Sequence, residues 1–250
     1  MAASAFIPVA VFVLVVGTIG WRLLALWRRT HETPELLLGL GLVLMSCVAI
    51  PLSGVGRLPG TATTVVGRTC FAVGMGSIAL AAALLIAFTQ RVFRAGEAWA
   101  RAFAVGISLL IVAAVIWISY VNFVGASVAE IVPRMRPGTL ALIGSMLVSF
   151  AWATVESLRY YANLERRLAL GLADPVLVDR FLLWGVSSGA NTLLLAVLLY
   201  CVQSGMVILR EPVSLIAIAA VGSVMSGAWY LTFLAPESYL EAVRNRASGA

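Results

Sequence analysis

Apolar residues are gathered along this chain into seven long runs separated by short polar turns: 6–27, 35–55, 64–88, 99–124, 138–161, 178–208 and 212–234. A helix needs about 20 mainly apolar residues to cross the hydrocarbon of a bilayer, and every run meets that length. The sixth is long for one crossing, so it is expected to tilt or to begin in the interface. Prolines punctuate the pattern: Pro34, Pro51, Pro59, Pro133, Pro137, Pro175, Pro212 and Pro236 fall at or near the ends of runs. Thr33-Pro34-Glu35 reads as a helix start, with Thr33 as cap, Pro34 in the first position and Glu35 favouring the dipole. The opening MAASAFIPV has no positive residue, its run is too long for a signal-peptide core, and no A-x-A site follows. The first run is therefore expected to remain as a membrane helix.

The pattern predicts an all-α, polytopic membrane protein: one domain over 1–250, a seven-transmembrane helix bundle, with 236–250 as a short amphipathic tail. Ser238, Tyr239, Leu240 and Val243 supply the apolar side of that tail, with Arg244 and Arg246 at the headgroups. Composition removes the alternatives. The chain is 62% hydrophobic and 11% charged, where soluble domains run at about 45–50% and about 25%. Soluble-enzyme, nucleic-acid-binding and disordered readings fall away.

Charge orients the bundle. The net charge is +6, and all 17 basic residues are arginine. Arg22, Arg28, Arg29, Arg91, Arg94, Arg101, Arg159, Arg166, Arg167, Arg180, Arg244 and Arg246 share one side, against Arg57, Arg68, Arg134, Arg136 and Arg210 on the other. Cytoplasmic loops carry the basic excess, so the amino terminus is expected outside and the carboxyl terminus in the cytoplasm. Trp21, Trp27, Trp99, Trp152, Tyr160, Tyr161, Trp184 and Tyr239 cluster toward the cytoplasmic face, while Trp117, Tyr120 and Tyr200 mark the outer one. The expected location is the inner (cell) membrane of a bacterium, crossed many times.

Several chemistries lack their residues. Without lysine there is no retinal Schiff base. A single histidine, His31, in a cytoplasmic turn beside Glu32, rules out H-E-x-x-H zinc sites, intramembrane Ser–His pairs and bis-His haem. Both aspartates, Asp174 and Asp179, lie in or beside one loop, which rules out a two-Asp intramembrane protease. No catalytic residue, metal or cofactor is expected. Cys47, Cys70 and Cys201 lie in apolar runs and read as small fillers, a Cys47–Cys70 bridge being the alternative.

Polar groups within spans are the functional candidates, because lipid makes them costly unless paired. Glu156 shares a helix face with Arg159 and Tyr160. It reads as one half of an ion pair with Arg159 or with Arg22 of the first helix, or else as a gating carboxylate. On the sixth run Trp184, Ser187, Ser188, Asn191 and Thr192 form a polar stripe, which is either helix packing or the floor of a ligand pocket. Gly222, Ser223, Ser226 and Gly227 form a small-residue seam on the seventh. Toward the outside, Arg68 and Asn122, with Arg57, Arg134 and Arg136 nearby, either draw in an anionic ligand or snorkel to lipid phosphate.

The three cytoplasmic turns share an order of aromatic, arginine pair, acid and Gly-containing apolar run. Either topology alone demands this, or a two-helix hairpin was duplicated. With its outside amino terminus, short loops and R-R-x-x-x-x-P-E turn (Arg28, Arg29, Pro34, Glu35), the plan resembles the seven-helix sensor modules that precede bacterial histidine kinases. The resemblance is one of topology. It implies a sensor that binds a small or lipophilic ligand and, since no output domain follows the seventh run, signals through a partner. The competing expectation is a permease for a small, weakly polar or lipid-like solute passing along the stripe of the sixth helix. Expected partners are membrane lipids, a cytoplasmic or membrane signalling protein and a second copy of the chain, with no nucleic acid among them.

Overall fold

The computed structural model describes residues 2–58, 60–206, 208 and 211–248, and no strand occurs among them. Pro59, Arg210 and the side chain of Arg246 lie outside the described residues. Eight helices follow one another among the described residues: α1 (Ala2–Thr30), α2 (Thr33–Val55), α3 (Val65–Phe93), α4 (Ala98–Val124), α5 (Val128–Leu168), α6 (Pro175–Gln203), α7 (Pro212–Phe233) and α8 (Glu237–Ser248). Seven of them, α1 to α7, are long and apolar enough to cross a membrane. The protein is an all-α, multi-pass integral membrane protein.

Neighbours in sequence are neighbours in space. Each helix from α1 to α6 packs on the next, α7 returns to α1 and closes the ring, and α3 also reaches α5. The odd helices finish, and the even ones start, at the end that carries most of the arginines, called here the arginine-rich end. Many small residues are buried beside larger ones such as Ile19, Ile111 and Phe71, and many large ones face outward: Ala79, Ala81, Ala82, Ala100, Ala104 and Ala114 are buried, whereas Leu14, Val66, Leu109, Ile116, Leu193 and Ile216 are exposed. That inversion suits lipid, where apolar chains gain nothing by hiding from the solvent and small residues let helices approach. At the α1–α2 crossing, a Cβ on Gly20 would stand 3.0 Å from the Gly39 carbonyl oxygen, and one on Gly39 would stand 3.1 Å from that of Gly20. Most buried hydroxyls find acceptors on their own helices. Ser46 donates to Leu42 O (2.7 Å), Thr89 to Leu85 O (3.0 Å), Ser149 to Ser145 O (2.8 Å) and Ser157 to Ala153 O (2.7 Å), as an interior without water demands.

Three helices depart from the sequence pattern. α2 winds as a π-helix over Leu44–Ala49 before regaining α geometry. Pro51 has no N–H and its ring crowds the carbonyl four residues back, and a widened turn relieves that clash. α5 begins ten residues before the predicted 138 and has 41 residues, about 60 Å at 1.5 Å per residue. It outruns the roughly 30 Å of hydrocarbon at both ends. Its start is set by Ser127, whose hydroxyl accepts from Glu130 N (3.4 Å), while Glu130 Oε2 accepts from Ala126 N (3.0 Å). Pro133 and Pro137 therefore lie inside α5, not before it. The carbonyls they leave unpaired, of Ala129 and Pro133, belong to exposed positions where water or headgroups reach them. α6 starts at Pro175, where Asp174 Oδ1 accepts from Val176 N (2.9 Å), and stops at Gln203, before Gly205 turns to φ +77°. The sixth apolar run extends past the end of the helix, and α6 itself, with 29 residues, is still long for one crossing.

All three cysteines are free, so the Cys47–Cys70 bridge is not formed. α8 docks on α6: Tyr239 donates to Asp179 Oδ2 (2.7 Å), and Val243 is buried.

Candidate functional site

At the arginine-rich end, α3 stops at Phe93 and Arg94 turns the chain toward α4. Its guanidinium bridges two carboxylates. Nε donates to Glu156 Oε1 of α5 (2.9 Å) and Nη1 to Glu97 Oε1 (3.0 Å). Two indoles complete the cluster: Trp152 Nε1 donates to Glu156 Oε1 (3.3 Å), and Trp99 Nε1 donates to Glu97 Oε2. The Arg94 guanidinium lies 5.7 Å from the centre of the Trp99 ring, and Trp152 packs between Trp99 and Phe103.

Glu156 is 6% exposed and is the one buried carboxylate among the described residues. Such a charge persists only with a partner and hydrogen bonds, and Arg94 and Trp152 supply both. Conversely, Glu156 and then Glu97 hold the Arg94 pKa above its ordinary value. Arg94, followed by the Trp99 N–H, holds the Glu97 carboxyl below the usual range. Beside the cluster is a groove of about 410 Å³, walled by Phe93, Arg159, Tyr160, Asn163 and Arg166. No ion pair occupies Arg159 or Arg166 among the described residues, and the second Glu156 oxygen has no protein partner there.

The ion pair expected for Glu156 thus exists with a different arginine. Arg159, three residues along α5, lines the groove without bonding the carboxylate. Arg22 lies in another groove with Arg29 and Arg180. Sequence reasoning counted Arg94 only as a topology signal. Trp152 was legible as a partner, since it precedes Glu156 by four residues on the same helix face. Arg94 was not, because 62 residues separate the pair.

The α6 stripe is mostly packing. Trp184 belongs to an aromatic cluster with Phe88, Trp229 and Phe233, at centroid distances of 5.3, 5.0 and 6.3 Å. Ser187 and Ser188 are buried. The Ser187 hydroxyl donates to Trp184 O (2.9 Å), and Ser188 O accepts from the Thr192 hydroxyl (2.9 Å). Asn191 is half-buried and makes no side-chain hydrogen bond with the described residues.

At the opposite end, the structure brings Arg68 and Asn122 together. Arg68 Nη1 and Nη2 donate to Phe123 O (2.6 Å) and Gly125 O (2.8 Å), the carbonyls where α4 ends. Asn122, 1% exposed, donates to Arg68 O at 3.5 Å. The neighbouring cations are engaged as well. Arg57 lies 3.8 Å over the Phe71 ring, Arg134 pairs with Glu130 at 2.6 Å, and Arg136 donates to Gln203 O. Burial holds the Arg57 pKa down. This end is built as a set of clamps.

No family model, curated protein or solved structure matches this chain.

Proposed function

We propose that this integral membrane protein is a sensor, or the receptor-like half of a signalling pair, that reads a small ligand at its arginine-rich end. The observation carrying this reading is the Arg94–Glu156 pair at the edge of a groove of about 410 Å³. The pair ties the α3–α4 turn to α5. A ligand bearing an anion would be met by Arg159 and Arg166, compete for Arg94, and loosen the tie. The population shift requires only that the ligand bind the untied state better than the tied one. The released turn would then be read by a partner protein. The likeness of topology to kinase-associated sensor modules agrees with this, as do the several buried hydroxyls that bond their own helices and not a path between them.

The test is a distance measurement. Spin labels at Ala95→Cys and Ala169→Cys, both outside the groove lining, in a cysteine-free background in nanodiscs, report turn against α5 while inorganic phosphate, a dicarboxylate and an amino acid are titrated. A second distance population with at least one of the three is expected. An unchanged distribution with all of them contradicts the reading. So does solute uptake into proteoliposomes that Asn191→Leu abolishes, which would make the protein a permease.

A further inference from the structure

A second groove, of about 460 Å³, opens at the same end between α1, α6 and α7. Its polar groups are three guanidiniums, Arg22 and Arg29 from α1 and Arg180 from α6, and no acidic residue lines it. None of the three forms an ion pair among the described residues. The nearest acid in sequence, Asp179, spends Oδ2 on the Tyr239 hydroxyl of α8. The rest of the wall is apolar, with Ile19 and Leu23 of α1 and Phe233 of α7. The order along α1 gives the groove a direction. Ile19 lies deepest in the bundle, Arg22 about one turn nearer the end, and Arg29 about two turns beyond Arg22, roughly 10 Å further on.

We infer that this groove binds an anionic glycerophospholipid, its phosphate on Arg22, Arg29 and Arg180 and one acyl chain along Ile19, Leu23 and Phe233. Charge complementarity selects the headgroup. Three guanidiniums from two helices line one groove without an ion-pair partner among the described residues, each able to hold phosphate oxygens with a planar fork of N–H donors. The apolar wall selects an amphiphile over a free anion, since a soluble phosphate leaves that wall unfilled. The groove also spans the contact by which α7 returns to α1, so an occupant braces the closure of the ring. This site is separate from the Arg94–Glu156 groove and stands or falls independently of the sensor reading.

The test uses the full chain in detergent, following thermal unfolding while phosphatidylglycerol, phosphatidylcholine or inorganic phosphate is added. Phosphatidylglycerol is expected to raise the Tm of the wild type, with little shift from the other two. Changing Arg22, Arg29 and Arg180 together to Gln is expected to weaken the apparent affinity for phosphatidylglycerol roughly a hundredfold. A matched control, Arg91, Arg101 and Arg167 to Gln, is expected to stay within about threefold of wild type, because these exposed charges line neither groove. The inference is overturned if phosphatidylcholine stabilises equally, if inorganic phosphate reproduces the shift, or if the control triple loses as much affinity as the groove triple. The lipid comparison on the wild type decides the matter even if the groove triple folds poorly.

Discussion

Arg68 sits in the first turn of α3 and Arg94 one residue beyond its last, and both guanidiniums bridge α3 to another part of the bundle. Arg68 is held by neutral carbonyls, Phe123 O and Gly125 O. Arg94 is held by two carboxylates, Glu97 and Glu156. Carbonyls do not titrate and are fixed in the backbone, so the first bridge is a clamp with one state. A carboxylate can be displaced by another anion, and the Glu97 carboxyl can also be protonated, so the second bridge can be opened. The difference separates a fixed bridge at one end of α3 from an adjustable one at the other, and mutation and acid can probe it.

The largest effect is expected from Arg68→Ala. It removes two charge-assisted hydrogen bonds and strands both acceptors, and should cost about 3 kcal/mol of stability in detergent unfolding. The loss should be the same at any pH between about 4 and 8, because arginine stays charged throughout. A pH-dependent loss would break the comparison.

Glu156→Gln is expected to cost less, about 1–2 kcal/mol, since the amide still accepts from Arg94 and Trp152. Arg94 is also 27% exposed and keeps Glu97. A loss as large as that of Arg68→Ala would mean both ends are rigid clamps.

The smallest expected effect is acid sensitivity. The fold holds the Glu97 carboxyl below its ordinary value. Its contribution is therefore complete above the unfolded pKa, about 4.3, and is lost as pH falls through the depressed folded value. Glu97→Gln should remove its share of the acid limb and leave that of Glu130, which the Ala126 N–H and Arg134 also hold below its ordinary value, and Arg68→Ala should leave the Glu97 share in place.

Hydropathy revealed the seven crossings, because lipid exposure imposes an apolar run of fixed minimum length on every span. Helix ends were harder to read. Pro133 and Pro137 looked like boundaries, yet α5 runs through both, since outside the slab their unpaired carbonyls are cheap to satisfy. The nearby S-x-x-E of Ser127 and Glu130 was the better marker. The same limit applies to the site. Glu156 stood out because a carboxylate near a membrane span demands a partner, but spacing along one helix points to Arg159, and only the fold brings in Arg94 from 62 residues away. The α1 groove likewise joins residues that were read separately, as topology signals.

The whole contrast between a fixed and an adjustable end requires the two ends of α3 to lie on opposite sides of a membrane. Single cysteines at Ala126, in the loop after α4, and at Leu170, in the loop before α6, report this directly when a membrane-impermeant maleimide is applied to intact cells in a cysteine-free background. The account predicts that Ala126→Cys is labelled from outside and Leu170→Cys only after permeabilisation. Labelling of both positions from the same compartment would contradict it.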